Sequence, residues 1–219
     1  MHLTEVEEIR SQWLALLVRY RAIAIIRAPT VAVGVAMAEA AVAGGFRLIE
    51  VAWNNAQAVA MMEAIRQALP NCIVGVGTVL TAADLQGAIA AQAQFCFTPH
   101  TDPHCIALAC AHRLPIISGA MTPTEILSAW RAGSASVKVF PISVLGNGAY
   151  IRSVLGPLGP IPLVPTGGVT RETVADLIGS GAVAVGLSTA LFPPAEVAAG
   201  DWAAIKARSK ELLTLVSEY

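Results

Sequence analysis

Eight times from Ala22 onward, a short run of apolar residues gives way to a longer segment with helical spacing, and this alternation constrains the fold more tightly than any other feature of the chain. The runs are residues 22–27, 46–52, 72–78, 94–98, 115–118, 135–140, 161–164 and 182–186. They are almost continuously hydrophobic, as strands of a parallel sheet are when helices cover it. Eight such units predict an α/β protein with the (β/α)8 TIM-barrel fold. An open doubly wound sheet normally carries a glycine-rich turn after its first strand, and here Arg27-Ala28-Pro29-Thr30 stands in that place. Ahead of the repeat, Leu3 to Tyr20 has apolar residues at helical spacing and an acidic first turn, which predicts an extra N-terminal helix that caps the barrel. Thr30 is placed to cap the helix after the first strand and Gly44-Gly45 to end it, and further helices are expected over 56–69 and 82–92.

With 55% hydrophobic and 13% charged residues in 219, the chain can bury one large core, so a single domain spanning 1–219 is expected. A formal charge of −1 and scattered Lys and Arg argue against nucleic-acid or anionic-membrane partners. No stretch approaches the roughly 20 apolar residues of a membrane span, and Glu5, Glu7 and Glu8 stand where a targeting segment would be basic. A soluble, cytoplasmic protein is predicted. Cys72, Cys96, Cys105 and Cys110 form no CxxC pair and read as reduced, small hydrophobes. His100 and His104 are four apart but lack a third ligand nearby, so no metal site is expected.

Against this background Lys138 stands out, because Ser136-Val137-Lys138-Val139-Phe140-Pro141 otherwise reads as a buried strand. The two other lysines, Lys206 and Lys210, lie near the C-terminus on a polar-faced helical pattern. Burial disfavours the charged form, so an inward Lys138 would have a lowered pKa and be a usable amine nucleophile of the Schiff-base kind. The alternative is a strand-end lysine whose stem packs while its head reaches water. Glu50 weighs against that alternative: it is the one acid within an apolar strand pattern, and two strands of one fold can bring acid and amine together.

Chemistry in a barrel of this kind sits at the C-terminal ends of the strands. Those ends supply Arg27, Glu50, Thr78, Pro99, Lys138, Thr166-Gly167-Gly168 and Gly186-Leu187-Ser188. Arg27 and Thr78 offer a cation and a hydroxyl for a carboxylate, and the glycines after the seventh and eighth strands offer backbone N–H groups for a phosphate. A substrate with a keto acid at one end and a phosphate at the other would fit. Plainer readings exist for each: tight turns at the glycines, a helix cap at Thr78, a rim ion pair at Arg27, dipole compensation at Glu125 and core packing at Trp53.

Taken in order, Gly44-Gly45 with Ile49-Glu50-Val51, Gly75-Val76-Gly77-Thr78-Val79-Leu80, Thr98-Pro99, Val137-Lys138-Val139-Phe140-Pro141 and Pro165-Thr166-Gly167-Gly168-Val169 span most of the chain. In these motifs it resembles the 2-keto-3-deoxy-6-phosphogluconate (KDPG) aldolase family. These are class I Schiff-base enzymes that include the 2-keto-4-hydroxyglutarate (KHG) and 2-keto-3-deoxy-6-phosphogalactonate aldolases. The resemblance implies that Lys138 forms the Schiff base and Glu50 moves protons, partly through a water. It assigns the pyruvyl carboxylate to Arg27 and Thr78, the pocket to Asn54, Pro99, Phe140 and Thr166, and the phosphate to Gly167, Gly168, Gly186 and Ser188. It implies no metal or organic cofactor, a small phosphorylated keto-acid substrate and a homotrimer.

Two departures bear on substrate. Glu50-Val51-Ala52-Trp53-Asn54-Asn55 puts Asn54 where gluconate-type members resemble Glu-Val-Thr-Leu-Arg-Thr, which is closer to the galactonate type, whereas Thr166 resembles the gluconate type. Gly186-Leu187-Ser188-Thr189 departs from the gluconate-type Gly-Gly-Ser. KHG cleavage and oxaloacetate decarboxylation use the same imine and stand as alternatives. A barrel that binds or isomerises a sugar phosphate without covalent chemistry is the reading from another class.

Overall fold

Side chains alternate across each strand, and this period of two divides the apolar core into two clusters. One lies between strands and helices and includes Ala24, Ile26, Ile49, Val51, Val74, Val76, Val137 and Val139 together with Met37, Met62 and Leu85 of the helices. The other fills the barrel and includes Ile23, Ile25, Leu48, Phe95, Phe97, Ile117, Val164 and Ala184. The computed structural model describes residues 3–217. Its strands are β1 (Ala22–Ile26), β2 (Leu48–Ala52), β3 (Ile73–Gly77), β4 (Cys96–Phe97), β5 (Ile116–Ala120), β6 (Ser136–Val139), β7 (Leu163–Pro165) and β8 (Val185–Leu187). All pairs are parallel, in the order β7-β6-β5-β4-β3-β2-β1-β8. A bridge between Thr166 and Gly186 joins the two ends, which makes the predicted (β/α)8 barrel.

The helices are α1 (Leu3–Tyr20), α2 (Val31–Ala43), α3 (Ala58–Ala68), α4 (Ala82–Ala90), α5 (Pro103–Ala111), α6 (Pro123–Ala132), α7 (Gly148–Leu158), α8 (Arg171–Gly179), α9 (Pro194–Ala199) and α10 (Trp202–Ser217). Their starts follow the sequence closely. Thr30 accepts a hydrogen bond from Val33 N–H, and Thr81 and Thr122 form capping boxes with Asp84 and Glu125. The helix after β3 is therefore capped by Thr81, which leaves Thr78 free of that duty. Glu125 accepts from the Met121 and Thr122 N–H groups, a specific cap in addition to dipole compensation.

Several strands are shorter or shifted relative to the apolar runs. Prolines at 160 and 162 delay β7 to Leu163, and β4 keeps only two ladder residues of the run 94–98.

Helix α1 lies across the end of the barrel where β6 begins. Ile9, Trp13 and Leu17 join the interior cluster. Trp13 is 1% exposed, donates Nε1–H to Ser136 Oγ at 3.0 Å, and packs its ring 5.1 Å from Phe95 and 6.4 Å from Phe97. Removing the indole leaves a cavity in the floor of the barrel and strands the Ser136 hydroxyl. Trp13→Ala is expected to lower unfolding stability by about 3–5 kcal/mol, read from urea denaturation.

Candidate active site

The inward parity of each strand decides what reaches the mouth. Ile25 and Glu50 are register partners on β1 and β2, and Gly119, Lys138 and Val164 are partners across β5, β6 and β7. Lys138 is 5% exposed and Glu50 1%. The Lys138 ammonium lies 4.7 Å from the centre of the Phe140 ring and 5.9 Å from that of Phe97. Phe97 was missed by the sequence reading, although its alternation with Phe95 marks both as inward residues.

Burial shifts both titratable groups toward their neutral forms. The Lys138 ammonium is held below the usual lysine range chiefly by desolvation, which the Glu50 carboxylate opposes and Arg27 reinforces. Desolvation likewise holds the Glu50 carboxyl above its usual range against the pull of Lys138 and Arg27. Among the described residues no ion pair of 4.0 Å or less joins the two, and Glu50 Oε2 has no hydrogen-bond partner. The mouth thus holds an amine and a carboxyl group that burial pushes toward their neutral forms, a pairing suited to proton transfer during imine chemistry.

Glycines make the room. A Cβ on Gly77 would lie 1.6 Å from Glu50 Oε1 and 2.3 Å from its Cδ, so Glu50 occupies the space where β3 has no side chain. A Cβ on Gly119 would lie 2.2 Å from the Pro99 carbonyl carbon, so Gly119 lets the Pro99 backbone approach β5.

Arg27 donates to Thr78 Oγ1 at 3.0 Å and to Asn54 Oδ1 at 3.3 Å. The rim ion pair considered for Arg27 does not form among the described residues; its partners are neutral. Thr78 has φ +62°, a left-handed conformation unfavourable for a β-branched residue and of the kind that collects at functional sites. Trp53 packs over α4, where a Cβ on Gly87 would meet its ring at 2.8 Å.

On the opposite side, Gly167 and Gly168 have φ +83° and +78°. A Cβ would meet the Phe140 ring at 2.8 Å from Gly167 and Ser143 Oγ at 2.4 Å from Gly168. The turn therefore folds its backbone tightly over Phe140 and Ser143. Ser143 was not anticipated; it lies in the 3-10 turn Ile142–Val144, and only the tertiary fold puts its hydroxyl beside Gly168. Thr166 is buried near Gly186, with its Oγ1 2.5 Å from where a Gly186 Cβ would lie. Ser188 is half-buried at the end of β8 and shares a cavity wall with Arg27.

Comparison with known proteins fits this arrangement. The family model described as KDPG and KHG aldolase matches residues 15–208. The chain belongs to the KDPG and KHG aldolase family. A 2-dehydro-3-deoxy-phosphogluconate aldolase of Treponema pallidum (strain Nichols) is 34% identical over 90% of this chain and 94% of its own length. A probable 2-dehydro-3-deoxy-6-phosphogalactonate aldolase of Rhizobium meliloti (strain 1021) is 34% identical over 72% of this chain and 74% of its own. A solved structure described as "Native KDPGal structure" superposes with a TM-score of 0.82 at 27% identity, covering 90% of this chain and 94% of that one. Aldolases of this family are carbon–carbon lyases, in keeping with the enzyme class that the motifs imply. No described helix is long and apolar enough to cross a membrane.

Proposed function

We propose that the protein cleaves 2-keto-3-deoxy-6-phosphogluconate to pyruvate and glyceraldehyde 3-phosphate through a Lys138 Schiff base. The observation that carries this reading is the buried Lys138 amine facing the same barrel mouth as the buried Glu50 carboxyl group. The neutral amine adds to the C2 ketone, and Glu50 gives a proton to the carbinolamine hydroxyl, which leaves as water to form the protonated imine. The Glu50 carboxylate, or a water it holds, then takes the C4 hydroxyl proton. The C3–C4 bond breaks, its electron pair remains in the enamine of pyruvate, and C4 becomes the aldehyde carbon. Protonation of the enamine at C3 and addition of water to the imine release pyruvate and free the amine.

In the same reading Arg27, held by Thr78 and Asn54, binds the pyruvyl carboxylate, while Pro99, Phe140 and Thr166 wall the pocket. The Gly167-Gly168 turn, Gly186 and Ser188 receive the phosphate. On the family resemblance the enzyme works in the cytoplasm as a homotrimer of one-domain chains.

Asn54 favours a second reading for the sugar. Its carboxamide meets Arg27 where gluconate-type members carry an arginine, so the galactonate epimer is the competing substrate. Side-by-side kcat/KM values for the two epimers, KHG and oxaloacetate test the assignment. The gluconate-derived phosphate should lead; a higher value for the galactonate epimer moves the assignment to that substrate, and no cleavage of any of the four overturns the lyase reading.

The lowered Lys138 pKa has a readable consequence. The neutral amine is the attacking form, so its fraction reaches a plateau at a pH below 10.5, the ordinary lysine value. The rate of pyruvate trapping by cyanoborohydride should therefore level off below that pH. A rate still rising through it would mean an unperturbed, solvated amine.

A further inference from the structure

The connection from β6 to α7 ends in Leu145-Gly146-Asn147-Gly148. Of the four asparagines in the chain, Asn54, Asn55, Asn71 and Asn147, only Asn147 is followed by glycine. Its backbone has φ +54° and ψ −127°, far from the extended conformation in which an N-cap asparagine usually accepts a helix N–H. The side chain makes no cap hydrogen bond, and Oδ1 is buried without a partner among the described residues. No hydrogen bond to that oxygen is lost if the carboxamide turns.

The backbone conformation sets two reactive groups side by side. Substituents on a tetrahedral carbon lie about 120° apart in projection, so with ψ at −127° the Gly148 nitrogen nearly eclipses the Asn147 Cβ. A ring through Cα, Cβ, Cγ, the backbone carbonyl carbon and that nitrogen requires this eclipsed arrangement, and side-chain rotation alone remains to close it. Gly148 is the first residue of α7, where an N–H has no acceptor within the helix. It donates instead to Asp176 Oδ2 at 3.2 Å. A Cβ on Gly148 would lie 2.3 Å from that oxygen, so the missing side chain lets the carboxylate sit against the amide. Arg152 pairs with the other carboxylate oxygen at 3.1 Å, and both side chains are exposed, which gives water a path to the turn.

We propose that Asn147 is a self-modification site, at which the folded protein converts the asparagine through a succinimide to aspartate and isoaspartate. The Gly148 nitrogen attacks Cγ while its proton passes to Asp176. The new N–Cγ bond replaces the Cγ–Nδ2 bond, and Nδ2 leaves as ammonia with the proton that Asp176 returns. Water then opens the ring, at Cγ to give aspartate or at the backbone carbonyl to give isoaspartate, with no oxidation or reduction. The isoaspartyl product routes the main chain through Cβ and so lengthens the turn ahead of α7 by one carbon.

The test ages the full chain at neutral pH, folded and in urea, in water enriched in heavy oxygen, and maps digests by mass spectrometry with isoaspartyl methyltransferase labelling. In the folded protein Asn147 should take up the label about 5-fold or more faster than in urea, since the conformation that the unfolded chain must find is already fixed. The other asparagines should stay unlabelled over the same interval. Asp176→Asn keeps an acceptor for the Gly148 N–H but no group that takes its proton, and it should slow the folded reaction about 10-fold or more with no change in urea. A folded rate at or below that in urea overturns the proposal, because the fold would then protect Asn147. Equal labelling at Asn71, or an Asp176→Asn rate equal to wild type at an unchanged melting temperature, overturns it too. Should Asp176→Asn fail to fold, the wild-type comparison decides alone.

Discussion

Lys138→Ala will lower cleavage of the keto-deoxy-phosphosugar acid by about 10⁴-fold or more and leave no pyruvate adduct after borohydride reduction. The size of the loss follows from the absence of a substitute. Lys206 and Lys210 are on α10, in the outer helical layer, and neither can reach the barrel mouth. Arg27 faces the mouth, but a guanidinium is not an amine nucleophile and cannot replace the lysine in forming an imine. The same substitution removes a cation that burial already disfavours, so the fold should retain its melting temperature or gain slightly. A structural lysine would behave the other way, with lost stability and adduct formation surviving at another amine. Measuring turnover, trapping and thermal unfolding on one preparation separates the two.

Gly77→Ala should lower kcat by about 10²–10⁴-fold, the usual contribution of a positioned proton-transfer group, without touching the lysine. The added methyl group would coincide with Glu50 Oε1, which lies 1.6 Å from the ideal Cβ position, so the carboxyl must rotate out of its seat. The atoms in the way are the far end of a side chain and the β2–β3 ladder is untouched, so the barrel itself should survive. Glu50→Gln should give a loss of similar size while imine formation stays detectable. The decisive comparison is the double variant: if Gly77 acts through Glu50, Gly77→Ala combined with Glu50→Gln is no slower than the slower single variant. Losses that multiply would show that Gly77 acts by another route. Single-turnover trapping should show imine formation slowed but still detectable in all three, because Lys138 remains.

How far the sequence carries this picture depends on the range of the interactions involved. The eight apolar runs and the threonine caps at 30, 81 and 122 are local signals, and the strands and helices form there. The inward placing of Lys138 and Glu50 is also local, because a period of two fixes which face each residue takes. The ends of β4, β7 and β8 depend on which neighbouring strand supplies partners, so the apolar runs overreach or miss them. Gly77 was legible as part of Gly75-Val76-Gly77-Thr78, but its function is a volume shared with another strand, which no spacing within the motif reveals. Ser143 beside Gly168, the left-handed Thr78 and the cavity that Arg27 and Ser188 share are likewise products of packing between segments far apart in sequence.

In the proposed mechanism one desolvated amine in the barrel mouth bonds covalently to a keto acid. Wild-type protein reduced with borohydride in saturating pyruvate, digested and mapped by mass spectrometry tests it most directly. One reduced pyruvyl group per chain is expected, on the peptide that contains Lys138. Unmodified Lys138 under those conditions, or label spread over Lys206, Lys210 and the N-terminus, would contradict it.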